Sequence, residues 1–172
     1  MPTEFNLPLG CAIGDNLKIR VGKQTEFFCK ITNRDTIFLR DKVGDVAGLG
    51  TTDPYEEVTT LNPPVQQVYQ IYGLMIDGNV EVYLKQPSPT NRWGTQRLPA
   101  GGFLIDRFAP VNNVQPVDIW VTQDYPPSRQ IVNNTNVTID PILWWFGWKY
   151  EYVKLETEPE KYTTVVVGGL PI

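Results

Sequence analysis

The sequence predicts an all-β fold, a single sandwich or barrel built from many short strands. Three observations carry that expectation. Apolar and polar residues alternate in segment after segment, prolines and glycines interrupt those segments at short intervals, and no stretch sustains an apolar stripe of 3.6-residue period. The densest apolar segment is Leu143-Trp144-Trp145-Phe146-Gly147-Trp148-Lys149-Tyr150-Glu151-Tyr152-Val153-Lys154-Leu155. From Phe146 onward, Phe146, Trp148, Tyr150 and Tyr152 fall on one side and Gly147, Lys149, Glu151 and Val153 on the other, as in a strand. Each large ring buries about 150–250 Å², so one such strand anchors a sizeable share of a core. The sequence leaves open whether the aromatic row is that core or an exposed platform.

The first ten residues carry Pro2, Pro8 and Gly10, a composition that favours an extended arm. In 16–21, Leu17, Ile19 and Val21 alternate with Lys18 and Arg20; Gly22-Lys23 then turns the chain, and 25–32 returns with Phe27, Cys29 and Ile31 inward. Asn33-Arg34-Asp35 is expected to turn again, making 36–40 a third short strand. Residues 41–64 show neither period and are expected to form a long loop, which in a compact domain tends to be functional or interfacial. No Lys-Ser/Thr pair follows Gly50, so the loop is not a phosphate cradle. The acidic residues between Asp41 and Asp53 lack the dense oxygen spacing of a calcium loop.

Residues 65–76 are rich in β-formers, and Asp77-Gly78-Asn79 is the strongest hairpin signal in the chain. Val80, Val82 and Leu84 then alternate with Glu81, Tyr83 and Lys85. Residues 86–101 form a second expected loop, whose Trp93 would pack over a sheet edge or against a partner. Strands are expected at 102–108 and at 117–122, where Val117, Ile119 and Val121 oppose Asp118 and Trp120. Tyr125-Pro126-Pro127-Ser128 is a rigid turn, and 129–139 is polar and β-branched, suited to an exposed edge. Asn133-Asn134-Thr135 and Asn136-Val137-Thr138 fit the glycosylation sequon, but without a secretion leader they are read as chance. An acidic turn at 156–161, a last strand at 162–167 and the tail Gly168-Gly169-Leu170-Pro171-Ile172 follow. Long loops between strands favour Greek-key or jelly-roll connections over meanders. The expected architecture is therefore one jelly-roll-type domain over 1–172, with an arm at 1–10 and a tail at 168–172.

Composition narrows the function. At 172 residues, 41% hydrophobic and 20% charged, the chain fits one domain with its own core. A net charge of −4, a pI near 4.8 and the lack of any basic run argue against direct nucleic-acid binding. No apolar run approaches the about 20 residues of a membrane-spanning helix. The start carries no leader pattern, so the chain is expected to stay inside the producing cell unless a released assembly carries it out. The absence of histidine removes Ser-His-Asp and Cys-His nucleophiles and His-containing metal sites together. Cys11 and Cys29 lack redox or zinc spacing; they are either buried thiols or a disulfide, within the chain or between copies. Asp106, Asp118, Asp124, Glu151 and Glu156 are the carboxylates nearest predicted strands, but no spacing among them selects an acid–base pair. The expectation is a protein that is not an enzyme and needs no cofactor or metal.

A histidine-free chain of many short strands, with proline-containing straps at both ends and long irregular loops, resembles a viral capsid jelly roll. More narrowly, its size and layout resemble the smaller of the two major capsid proteins of tailless icosahedral phages with an internal membrane that infect Thermus. The resemblance implies a shell building block, made in the host cytoplasm and resident in the virion, with no catalytic residues. Its implied partners are further copies of itself and other capsid proteins, close to an internal membrane. Contacts between copies are expected from the arm (Phe5, Leu7, Leu9), from Trp93 and from the tail (Leu170, Ile172), with a few aromatic anchors dominating. The residues leave a second reading open: a carbohydrate-binding or receptor-binding sandwich in which Trp120, Trp144, Trp145 or Trp148 stacks on sugar rings.

Overall fold

The computed structural model describes residues 10–21, 25–50, 56–78, 80–85, 95–98, 114–123 and 125–167. Alternating β-branched and aromatic residues fold these segments into ten strands: β1 (Asn16–Val21), β2 (Thr25–Lys42), β3 (Glu56–Glu57), β4 (Gln67–Asp77), β5 (Glu81–Lys85), β6 (Thr95–Leu98), β7 (Val114–Val121), β8 (Ser128–Val132), β9 (Ile142–Leu155) and β10 (Thr163–Val167). No helix occurs among the described residues.

Two sheets form, ordered β10-β1-β2-β9-β4-β7 and β3-β8-β5-β6. Pairing runs from the outside inward along the chain: β2 with β9, β3 with β8, β4 with β7 and β5 with β6, all antiparallel. The chain is thus one long antiparallel ribbon, and rolling it up lays β9 also against β4 and β8 against β5. That connectivity is the jelly roll expected from the sequence. β1 and β10 are an addition to it: they extend the first sheet beside β2 and pair with each other in parallel.

The long strands bury different faces at their two ends. On one face, Leu143 and Trp145 of β9 join Ile71, Leu74 and Ile76 of β4, Val82 and Leu84 of β5 and Ile131 of β8 in the core between the two sheets. Further along, the opposite face of β9 turns Tyr150 and Tyr152 into a second core with Leu17, Ile19 and Val21 of β1, Cys29 and Ile31 of β2, Val68 of β4, and Val165 and Val167 of β10. The first sheet curls there until its edge strands β10 and β7 approach each other. Its lower half becomes a roll around its own core, while its upper half lies flat against the second sheet.

Four sequence expectations are corrected. Asn33-Arg34-Asp35 does not turn the chain: β2 runs on for 18 residues and takes only a bulge between Ile31 and Asn33. The turn signal survives as local bonds, Arg34 N–H to Asn33 Oδ1 (2.9 Å) and Thr36 N–H to Asp35 Oδ1 (2.8 Å). Pairing along 14-residue β9 overrides it. Asp77-Gly78 is not a hairpin, because β4 and β5 lie in different sheets. Gly78 carries the chain across with φ +142°, and an added Cβ there would meet Pro141 Cβ at 3.0 Å. The expected 86–101 loop contains β6, and 129–139 is not an edge strand, since β8 lies between β3 and β5 with Arg129 and Ile131 buried. The strand expected at 102–108 lies outside the described residues.

Candidate functional site

Where the upper half of β9 faces away from the sandwich core, no second sheet among the described residues covers its even-numbered side chains. Trp144 and Phe146 are half-buried there, and their cross-strand neighbour Phe38 of β2 is 56% exposed. Phe38 stacks on both rings, at 4.9 Å and 22° to Trp144 and at 4.8 Å and 24° to Phe146. Arg40 extends the row, with its guanidinium 5.8 Å from the Trp144 ring, and Arg34 lies 4.5 Å over Trp148. The result is a flat aromatic strip edged by cations, the composition that interface cores favour over ordinary surface. Alternation on β9 signals this strip in the sequence. The third ring, Phe38, is missed because it belongs to a strand whose pairing is not local.

Behind the strip the sandwich is locked by a buried ion pair. Arg129 of β8 meets Asp41 at the end of β2 through two bonds, Nε to Oδ2 at 2.7 Å and Nη2 to Oδ1 at 2.9 Å. Glu56 accepts from Nη1 at 3.3 Å, and Trp145 Nε1 reaches Asp41 Oδ2 at 3.4 Å. Burial by itself pushes the guanidinium's proton affinity down; the bonds to Asp41 and Glu56 reverse this and raise it. Asp41 therefore serves the core and not a calcium loop, and no group of metal-binding side chains occurs among the described residues. Asn133 is a second lock, fully buried. Its Nδ2 donates to the carbonyls of Val46, Ala47 and Val137, while its Oδ1 accepts from Thr135 N–H and Oγ1–H. The first sequon is thus a loop clamp whose amide is fully committed.

One end of the roll is closed by residues 10–15. Cys11 N–H donates to Tyr150 Oη (2.7 Å), Tyr150 O–H donates to Gln70 Oε1 (2.7 Å), and Arg34 Nη1 donates to the Cys11 carbonyl (2.8 Å). Gly14 N–H and the Asp15 carbonyl then bond the backbone of Ile31.

Of the residues expected to act, Phe5, Leu7, Leu9, Trp93, Leu170 and Ile172 lie outside the described residues, as do Asp106 and Asp124. Cys11 and Cys29 form no disulfide with each other; Cys29 is wholly buried in the roll and Cys11 half-buried. Among the tryptophans proposed as sugar platforms, Trp145 is completely buried, and Trp120 stacks on buried Tyr150 at 5.9 Å. Trp120, Trp144 and Trp148 are each partly open. Glu151 is half-buried and Glu156 exposed, on different parts of the surface layer.

The fold and the site together define a jelly-roll sandwich with an open aromatic face. No family model and no curated protein matches the chain. One solved structure is similar, a chain described with the words "Bacillus endospore appendages form a novel family of disulfide-linked pili". It is 14% identical, with 86% of this chain and 98% of that chain covered and a TM-score of 0.34. A TM-score of that size does not establish a shared fold.

Proposed function

We propose that this chain is a structural protein that assembles by docking its open aromatic face against further copies, and that it converts no substrate. The observation that supports this reading is the stack of exposed Phe38 on half-buried Trp144 and Phe146, on the outer face of the main sheet. Fully burying a side chain of this class stabilises an interface by about 1.5–3 kcal/mol. Aromatic rings beside arginines are the usual anchors of binding energy. The finer reading is a building block of an icosahedral viral shell, resident in the virion and joined to itself and to other capsid proteins. The jelly roll is compatible with it, but lectins and cupins use the same roll, so the architecture alone does not choose.

Size-exclusion chromatography with light scattering tests the proposal. The wild-type chain is expected to self-associate as its concentration rises. Phe38→Lys is expected to shift it toward monomer with little change in thermal midpoint, because Phe38 is outside both cores. A wild type that stays monomeric at the highest attainable concentration would sink the reading, as would a Phe38→Lys variant that assembles like wild type.

A further inference from the structure

Residues 10–15 do more than close one end of the roll: they climb the same face of β9 on which the aromatic strip lies. Followed backward from Gly14, whose N–H bonds the Ile31 carbonyl opposite Tyr152, the chain reaches Tyr150 at Cys11 and Trp148 at Gly10. Gly10 sits so close that an added Cβ would run into Tyr150 Oη and lie 2.8 Å from Trp148 Cδ1. Phe146 and then Trp144 come next along that face, with Phe38 stacked on both. Where it leaves the described residues, the chain is aimed along the strip.

The residues that precede Gly10 match what they would meet there. Phe5, Leu7 and Leu9 recur at every second position, which puts all three on one side of an extended chain. Trp144, Phe146 and Trp148 recur with the same period. At about 3.3 Å per residue, the path from Gly10 to Phe5 spans about 16 Å and that from Trp148 to Trp144 about 13 Å, so the arm reaches the far end of the strip. Pro8 has no N–H to offer a ladder, which suits the segment to a sheet's face better than to its edge. Glu4 is the one charged side chain in 1–9. It falls at the end of the strip where Arg40 lies beside the Trp144 ring and Lys42 follows on the same face of β2.

The rings of a neighbouring copy also fit such a strip, but they lack a tether. An arm fixed at Gly10 is held at the strip at an effective concentration that short linkers place in the millimolar range. We propose that residues 5–9 fold back over the chain's own strip, with Phe5 on Trp144, Leu7 on Phe146 and Leu9 beside Trp148, and that a copy must lift this arm before its strip can dock. As a regulator of assembly the arm rests on the reading of the strip given above; its seat rests on the path of residues 10–15.

The seat is tested by placing p-benzoylphenylalanine at position 7 and irradiating an equal mixture of isotope-labelled and unlabelled full chains at low concentration. Cross-links are expected within one chain, to peptides that carry Phe38 or 144–148. Cross-links to other segments, or between labelled and unlabelled chains, overturn the proposal. The regulation is tested by light scattering. Deleting 1–9 keeps Gly10 and its contacts, and is expected to lower the concentration of half-association by about tenfold, as when the arm leaves the strip free about one-tenth of the time. Leu7→Asp is expected to move it in the same direction. A shortened chain that associates no more readily than the full one sinks the arm proposal, and leaves the assembly reading standing as long as Phe38→Lys still blocks association. If neither chain associates at all, the assembly reading falls and takes the regulatory role with it, and the cross-links alone decide the seat.

Discussion

Asp41 and Arg129 show how much a single pair of side chains decides. Both side chains are at least nine-tenths buried, at 7% and 5% exposure, and the guanidinium spans two carboxylate oxygens. Removing one partner strands the other charge, so Asp41→Asn is expected to destabilise the fold by about 3–5 kcal/mol in urea denaturation. The double change Asp41→Leu with Arg129→Met is expected to recover most of that loss, because it removes both desolvated charges. Cys29 makes a prediction about pH. Burial pushes its thiol up to about 12 from an ordinary 9.0, so the folded state favours the protonated form. The associated stability is whole below about pH 9 and drains away as the pH rises toward 12. Tyr150 and Tyr152, also pushed up by burial, act in the same direction from higher pH. Urea midpoints measured from neutral to strongly alkaline pH are expected to fall across that window, and Cys29→Ala is expected to flatten the early part of the fall. The thiol's burial was legible, since Cys29 alternates with Phe27 and Ile31 on the inward face of 25–32, but the ion pair was not. Asp41 sat in a segment without periodicity and Arg129 in one that looked like an exposed edge, and 88 residues separate them.

At the scale of elements, strand type was legible and strand partnership was not. Asn16–Val21 was read with its observed bounds, and the alternation of Phe146, Trp148, Tyr150 and Tyr152 against their odd-numbered neighbours holds along β9. The Asp77-Gly78 signal marked a real turn but the wrong pairing: a turn dipeptide specifies local backbone, while the choice of neighbour depends on which distant strand offers a matching apolar face. Gly147 shows the same limit. In the sequence it is a gap in an aromatic row; in the fold it is where β4 crowds β9. A methyl group there would run into the Gln70 carbonyl oxygen and lie 3.0 Å from Ile71 Cδ1. Backbone cannot yield as a flexible side chain does. Gly147→Ala is therefore expected to cost about 1–3 kcal/mol, read as a lowered thermal midpoint.

For the whole molecule, the aromatic face lies on the half of the main sheet that backs the sandwich core, while the other half curls around its own core. Self-association through Phe38, Trp144 and Phe146 is expected to persist at high salt, since stacked apolar rings are not screened as exposed charges are. Assembly that collapses with added salt would instead place the contact on charged residues. The sequence by itself determined that this chain is all-β, that long connections make it a roll and not a meander, and that histidine chemistry plays no part in it. Those properties follow from side-chain periodicity, turn composition and simple inventory, each readable within a few residues. Only the tertiary structure decided which face of each long strand is buried, and that this face switches midway along β9. Burial is settled by what another part of the chain lays against a strand, and here that partner is commonly about a hundred residues away.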